Sequence, residues 1–179
     1  DSDTLINRIK SYLYHKGEYY PESELSFAPA LCNRIDRNTC GIVIAAKNAE
    51  SLRILNQKIR DRELTKLYLC IACGKVTPDS ATLTAYLEKN SDTNTVKISD
   101  RKTKTNLTIK TKYKVLAYNG ENSLLKVDLL TGRTHQIRAH LAYIGHPLLG
   151  DGKYGNNKQN KKYGFKYQAL CSYELEFKF

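Results

Sequence analysis

The chain has 179 residues, 41% of them hydrophobic, which suits one folded unit with a sizeable core and excludes a disordered segment. Lys and Arg number 29 against 18 Asp and Glu, and the resulting formal charge of +11 favours a polyanionic partner, most often nucleic acid. No apolar run approaches the roughly 20 residues of a membrane span, no signal peptide is visible, and five irregularly spaced cysteines do not suit a secreted disulfide framework, so a cytoplasmic protein with free thiols is expected.

In chain order, Asp3 is placed to cap a first helix that carries Leu5, Ile9, Tyr12 and Leu13 on one face and ends at Gly17. Residues 18–32 read as irregular loop, and Ile42 to Ala46 as a short buried strand. Asn48 caps a second helix with Leu52, Leu55 and Ile59 inward. Leu67 to Ala72 reads as a strand. From Thr82 to Leu130 the pattern turns to alternation, giving strands at 82–87, 95–99, 107–117 and 123–130 joined by polar turns. A third helix runs from His135 to Ile144 and closes at Gly145, and Ala169 to Phe179 alternates as a last strand. The sum is one mixed α+β domain.

Two stretches concentrate chemistry. Asn33-Arg34-Ile35-Asp36-Arg37-Asn38-Thr39-Cys40-Gly41 sets a carboxylate between Arg34 and Arg37, which would help keep it ionised. Asp36 is the candidate nucleophile. The bland alternative is a loop aspartate in a surface salt bridge. Leu130 to His140 reads LTGRTHQIRAH and gathers donors behind a Thr-Gly turn. Arg133 is aimed by that turn, and its planar fork suits a bidentate pair with a carboxylate. The helix start near His135 adds free amides for an anion, and Thr134, His135, Gln136 and Arg138 join it as candidate contacts to a polyanion. His135 and His140 do not share a helical face, so no metal site is expected. Cys70 and Cys73 fall in a strand on opposite faces and read as core.

Arg101, Lys102, Lys104, Lys110, Lys112 and Lys114 form either a solvated face or an RNA contact. Lys153, Lys158, Lys161 and Lys162, interleaved with Tyr154 and Tyr163, fit phosphate contact with base stacking. Neither a phosphate-binding GxxxxGK[ST] loop nor a GxGxxG fingerprint occurs, so no nucleotide cofactor is implied.

NRIDRNTCG resembles the HRLDxxTSG motif of the RluA/RluD-type pseudouridine synthases, and LTGRTHQIRAHLAYIGHPLLGDGKYG resembles the second block of that family. Lys66-Leu67-Tyr68 stands where the family carries K-x-Y, and the overall wording is closest to the RluC-like branch. The resemblance implies a catalytic domain over residues 1–179 with a mixed, largely antiparallel sheet flanked by a few helices. It implies an isomerase that converts uridine in folded RNA, large-subunit ribosomal RNA above all, to pseudouridine without metal or organic cofactor. It puts the nucleophile at Asp36, the base-stacking tyrosine at Tyr68, the paired arginine at Arg133 and an apolar wall at Leu170.

The chain departs from the motifs at Asn33 for histidine, Cys40 for serine and Cys171 for histidine, none of which removes a catalytic group. The start at Asp1 without methionine, with no Lys-Pro-x-Gly strand and no small N-terminal RNA-binding domain, leads us to expect a shortened catalytic domain. No feature calls for an obligate protein partner. An RNA-binding module without activity is the alternative, and it would need the basic surface but not Asp36. A hydrolase would call for a second catalytic carboxylate or metal ligands.

Overall fold

The computed structural model describes residues 3–23 and 27–178. In chain order the elements are α1 (Leu5–His15), β1 (Ala30–Leu31), β2 (Cys40–Gly41), β3 (Ala45–Ala46), α2 (Ala49–Arg60), β4 (Thr65–Cys73), β5 (Ser80–Asn90), β6 (Thr95–Ser99), β7 (Leu107–Tyr118), β8 (Asn122–Asp128), α3 (Gln136–Tyr143), α4 (Asn157–Lys162) and β9 (Leu170–Glu176). They divide into two units. One holds residues 36–42 and 65–176, and the other takes 43–64 with the chain up to residue 35 and from Phe177 on.

The larger unit is a seven-stranded sheet in the order β2-β9-β4-β8-β7-β5-β6. Only β2 runs parallel to its neighbour, and every other pairing is antiparallel. The expected α+β class, with a mixed and largely antiparallel sheet, is what the chain adopts. Alternation along β5 to β8 points Ala85, Leu87, Val96, Ile98, Ile109, Tyr113, Leu125 and Val127 to one buried face. α3 lies on that face: Ile137 and Leu141, one turn apart, join Tyr68, Cys70, Leu125 and Leu170 in one apolar cluster, and Ala139 joins a second with Ile98 and Ile109. Cys70 and Cys73 are both buried, as expected, and burial pushes the Cys70 thiol up to about 12.

β2 is short, but it anchors the Asp36 motif to the sheet edge. Cys40 pairs with Cys171 and Gly41 with Ser172. Gly41 has φ +118°, and a Cβ there would meet the Ser172 carbonyl oxygen at 2.1 Å, so only glycine lets the segment reach that edge.

In the smaller unit, Asn48 caps α2 by accepting the Ser51 amide at 2.8 Å, as expected. The N-cap of α1 is Thr4 rather than Asp3, because the Asp3 carboxylate is held by the Arg8 guanidinium at 2.6 and 2.7 Å. β1 pairs with β3, so the expected loop at 18–32 contains a short strand; its residues 24–26 lie outside the described residues, as does Phe179 of the last strand. The apolar run from Ile42 to Ala46 is not one buried strand. Ile42 is 40% exposed and belongs with the larger unit, its amide donating to the Ser172 carbonyl at 2.8 Å, while Ala45 and Ala46 pair with β1. Among the described residues no helix is long and apolar enough to cross a membrane.

Candidate active site

Asp36 opens a tight turn. Its carbonyl accepts the Thr39 amide at 3.0 Å, and Asn38 takes the left-handed conformation at φ 66°. The Gln168 amide fastens the turn from the C-terminal side, donating to the Arg37 carbonyl at 2.7 Å and to the Thr39 hydroxyl at 3.0 Å. β2 comes immediately after and ties the turn to β9. The carboxylate is therefore mounted on sheet rather than on a free loop.

The guanidinium that meets Asp36 is that of Arg138, with Nη1 3.3 Å from Oδ2 across 102 residues of sequence. It is not that of Arg133, the expected partner, nor of the flanking Arg34 and Arg37. The reason lies in where α3 starts. His135 sits in the left-handed conformation at φ 50° and the helix begins after it. Arg133 stays in the exposed turn, its backbone N–H donating to the Gln136 side-chain oxygen at 3.1 Å. Arg138 is two residues into a helical period that turns it away from Gln136 and His140.

That opposite face is pinned to β7. The Gln136 amide donates to the Lys110 carbonyl and to the Thr111 hydroxyl, each at 3.0 Å, and its oxygen accepts from the Thr131 hydroxyl at 2.9 Å. Gln136 is buried and its side chain is spent on these bonds, so it is a clamp on β7 and not the RNA contact expected of it.

His140 stands 2.9 Å from the same Thr111 hydroxyl through Nδ1. The Thr111 hydroxyl thus serves Gln136 and His140 together, and ties both side chains of α3 to β7. Burial pushes the His140 pKa down to about 4. An unfolded histidine titrates near 6.5, so the unfolded chain takes up this proton first as pH falls. The stability held in a neutral His140 is full above about pH 6.5 and drains away as pH drops toward 4, by up to about 3 kcal/mol. Urea unfolding at pH 7 and pH 4.5 should show that loss, and His140→Leu should flatten the slope even though it lowers stability at pH 7. A slope unchanged in the variant would assign the acid sensitivity elsewhere.

Arg138 does not hold Asp36 alone. Its Nε and Nη2 donate to Asp151 at 2.7 and 3.0 Å, the planar two-point pairing that suits arginine and not lysine. Asp151 is fully buried and also accepts the Lys153 and Tyr154 amides at 2.8 and 3.1 Å. Burial would raise its carboxyl, but the Arg138 fork and those amides outweigh it and hold the group below its usual range. The Tyr154 ring lies under the Arg138 guanidinium at 5.4 Å, and its hydroxyl accepts the Val96 amide and meets His135 Nδ1, both at 2.9 Å. His135 is buried, which lowers its pKa, with Asp36 acting the other way. Asp151 was not singled out from sequence, although GDGKYG spells it, and Tyr154, read there as a base-stacking residue, has its ring against Arg138 and its hydroxyl on Val96 and His135.

Tyr68 lies on β4 with its ring in the cluster that includes Leu170. Its phenol is raised above the usual value by burial first, with the Asp36 charge adding to it and the Ser172 hydroxyl acting against it. Ser172 pairs with Tyr68 across the strands, and among the described residues its buried hydroxyl has no hydrogen-bond partner beyond that phenol. The structure thus brings Asp36, Arg138, Asp151, Tyr68, Leu170, His135 and Tyr154 into one unit. Thr134 is half-buried beside them in sequence. Lys153, Lys158 and Lys161 are exposed, the first donating to the Asn94 carbonyl at 2.8 Å. Lys162 pairs with Glu121 at 2.7 Å and sits on α4.

A family model described as RNA pseudouridylate synthase matches residues 6–143. The chain is 35% identical over 181 residues to an uncharacterized RNA pseudouridine synthase of Mycoplasma genitalium, covering 97% of this chain and 55% of that protein. It is 34% identical over 154 residues to ribosomal large subunit pseudouridine synthase D of Borreliella burgdorferi, covering 86% of this chain and 46% of that one. The chain spans about half the length of these curated relatives. Among solved structures, human RNA pseudouridylate synthase domain containing 1 shares 26% identity at a TM-score of 0.74, over 82% of this chain and 63% of that chain.

Proposed function

The chain belongs to the RNA pseudouridylate synthase family, and from that premise we propose that it isomerises uridine to pseudouridine in large-subunit ribosomal RNA with Asp36 as the nucleophile. One observation carries the assignment. A single guanidinium holds two carboxylates, and only one of them can be reached: the Asp36 side chain is 22% exposed and that of Asp151 is 0% exposed. Asp151 is spent on Arg138 and two amides. Asp36 receives one long hydrogen bond and keeps lone pairs for a substrate.

The reaction breaks the N1–C1′ bond, turns the uracil and joins C5 to C1′, with the C5 proton leaving and N1 gaining one. A carboxylate serves by attacking covalently and departing again, or by stabilising the charge on the sugar. The base must leave its stack to be reached. Tyr68 and Leu170 supply the apolar surface that receives it. The raised phenol keeps its proton at neutral pH, which makes Tyr68 a stacking and donor group rather than a phenolate base. Exposed Arg37, Arg133, Lys153, Lys158 and Lys161 suit phosphates, and the +11 charge supplies the long-range attraction. Arg34 is exposed too and is offered for the same role. The ribosomal target rests on the names of relatives such as the Borreliella protein.

The test is tritium release from C5-labelled transcripts of large-subunit ribosomal RNA, followed by mapping of the product. Release with pseudouridine at a defined position is expected. No release from any ribosomal transcript would remove the substrate assignment.

A further inference from the structure

Cys40 and Cys171 are register partners in the parallel β2–β9 pair. Partners in neighbouring strands project on the same side, with backbones about 4.7–4.9 Å apart. Disulfides span Cα separations of about 4.4–6.8 Å, a range that includes the spacing of neighbouring strands. Cys40 is exposed and Cys171 is half-buried, which leaves a reagent access to the first. The Cys40 thiol also lies 3.5 Å from the Leu170 carbonyl. Burial, and then a hydrogen bond with Cys40, raise the Cys171 thiol, so the two groups already touch in the reduced state. Both stand where the chain departs from its family's motifs. Cys40 directly follows the turn that Asp36 opens, and Cys171 lies between Leu170 and Ser172 on β9.

We infer that Cys40 and Cys171 are a redox-responsive dithiol, oxidised by low-molecular-weight organic disulfides to an intrachain bridge that locks the Asp36 turn to β9. The Cys40 thiolate attacks one sulfur of the reagent and releases one thiolate. The Cys171 thiolate then attacks Cys40 in the mixed disulfide and releases the second. Both protein protons pass to the departing thiolates. The protein loses two electrons and the reagent gains them. Exposure places such a bridge among those readily reduced again, unlike a buried structural disulfide. Cys70 and Cys73 do not compete, because both are buried away from a reagent.

The experiment uses the full chain and oxidised glutathione. The expected product has lost two hydrogens in intact mass and gives a peptide joining Cys40 to Cys171. Its Tm should rise by on the order of 5–10 °C, because the closed loop is long, and fall back on treatment with dithiothreitol. Cys40→Ser and Cys171→Ser should each abolish the mass change and the Tm shift. A bridge to any other cysteine or to a second chain would overturn the inference. So would two thiols that still alkylate after oxidant, or an oxidised form with a Tm at or below the reduced one. None of these readouts depends on RNA isomerisation, so failure here and failure of the proposed function are separable.

Discussion

Asp36→Asn is expected to reduce tritium release from labelled RNA by at least about a thousandfold, the scale on which loss of a covalent nucleophile is felt. The substitution keeps the shape and removes the charge. Asp36 has one ion partner at 3.3 Å and a partly exposed side chain, so little stability rests on it. The turn itself is held by the Thr39 amide and by Gln168, both on backbone or neighbours rather than on the carboxylate. The variant should therefore melt within a few degrees of the parent and bind RNA as well. Activity within tenfold of the parent would end the nucleophile assignment. Loss of both activity and fold would instead make Asp36 a structural group.

Arg138 should give the opposite signature, a loss of fold together with activity. Removing the guanidinium leaves Asp151 as a fully buried carboxylate with two amides and no charge partner. Breaking a buried pair in this way costs about 3–5 kcal/mol. For a chain of this size that is a drop in Tm of roughly 6–20 °C for Arg138→Ala. Arg138→Lys keeps the charge but cannot reproduce the fork on Asp151 while reaching Asp36, so it should recover part of the stability and little of the activity. Arg133→Ala is the control, since an exposed turn arginine should change stability by less than about 0.5 kcal/mol. A parent-like melt for Arg138→Ala would show that the Arg138–Asp151 pair carries no stability.

Much of this was legible in the residues. Alternation from Thr82 onward marked the central strands because one face of each packs on a helix and the other meets water. Asn48 marked the start of α2 because its side chain competes well for a free amide. The Asp36 turn was visible as a carboxylate between two arginines ahead of a Cys-Gly step. Its true partner was not, because Arg133 and Arg138 are alike in chemistry and differ only in where α3 begins. That start is set by a left-handed His135, which no residue preference announces. Asp151 was hidden for a related reason: its role depends on what comes to surround it. α4 has the sequence NKQNKK and no apolar period to reveal it. Ile42 to Ala46 misled because consecutive apolar residues were read as one strand when their two ends pair with different partners.

The parallel pairing of β2 with β9 also sets an order of events during synthesis. Residues 36–41 leave the ribosome well ahead of residues 170–176 and have no β9 edge to join until those have emerged behind them. The β5–β8 meander closes through near neighbours and can form while the chain is still growing, whereas β2 must wait across a long loop. A nascent chain therefore carries Asp36 apart from Arg138 until α3 has emerged, and the proposed centre becomes complete only when the strand bearing Leu170 arrives.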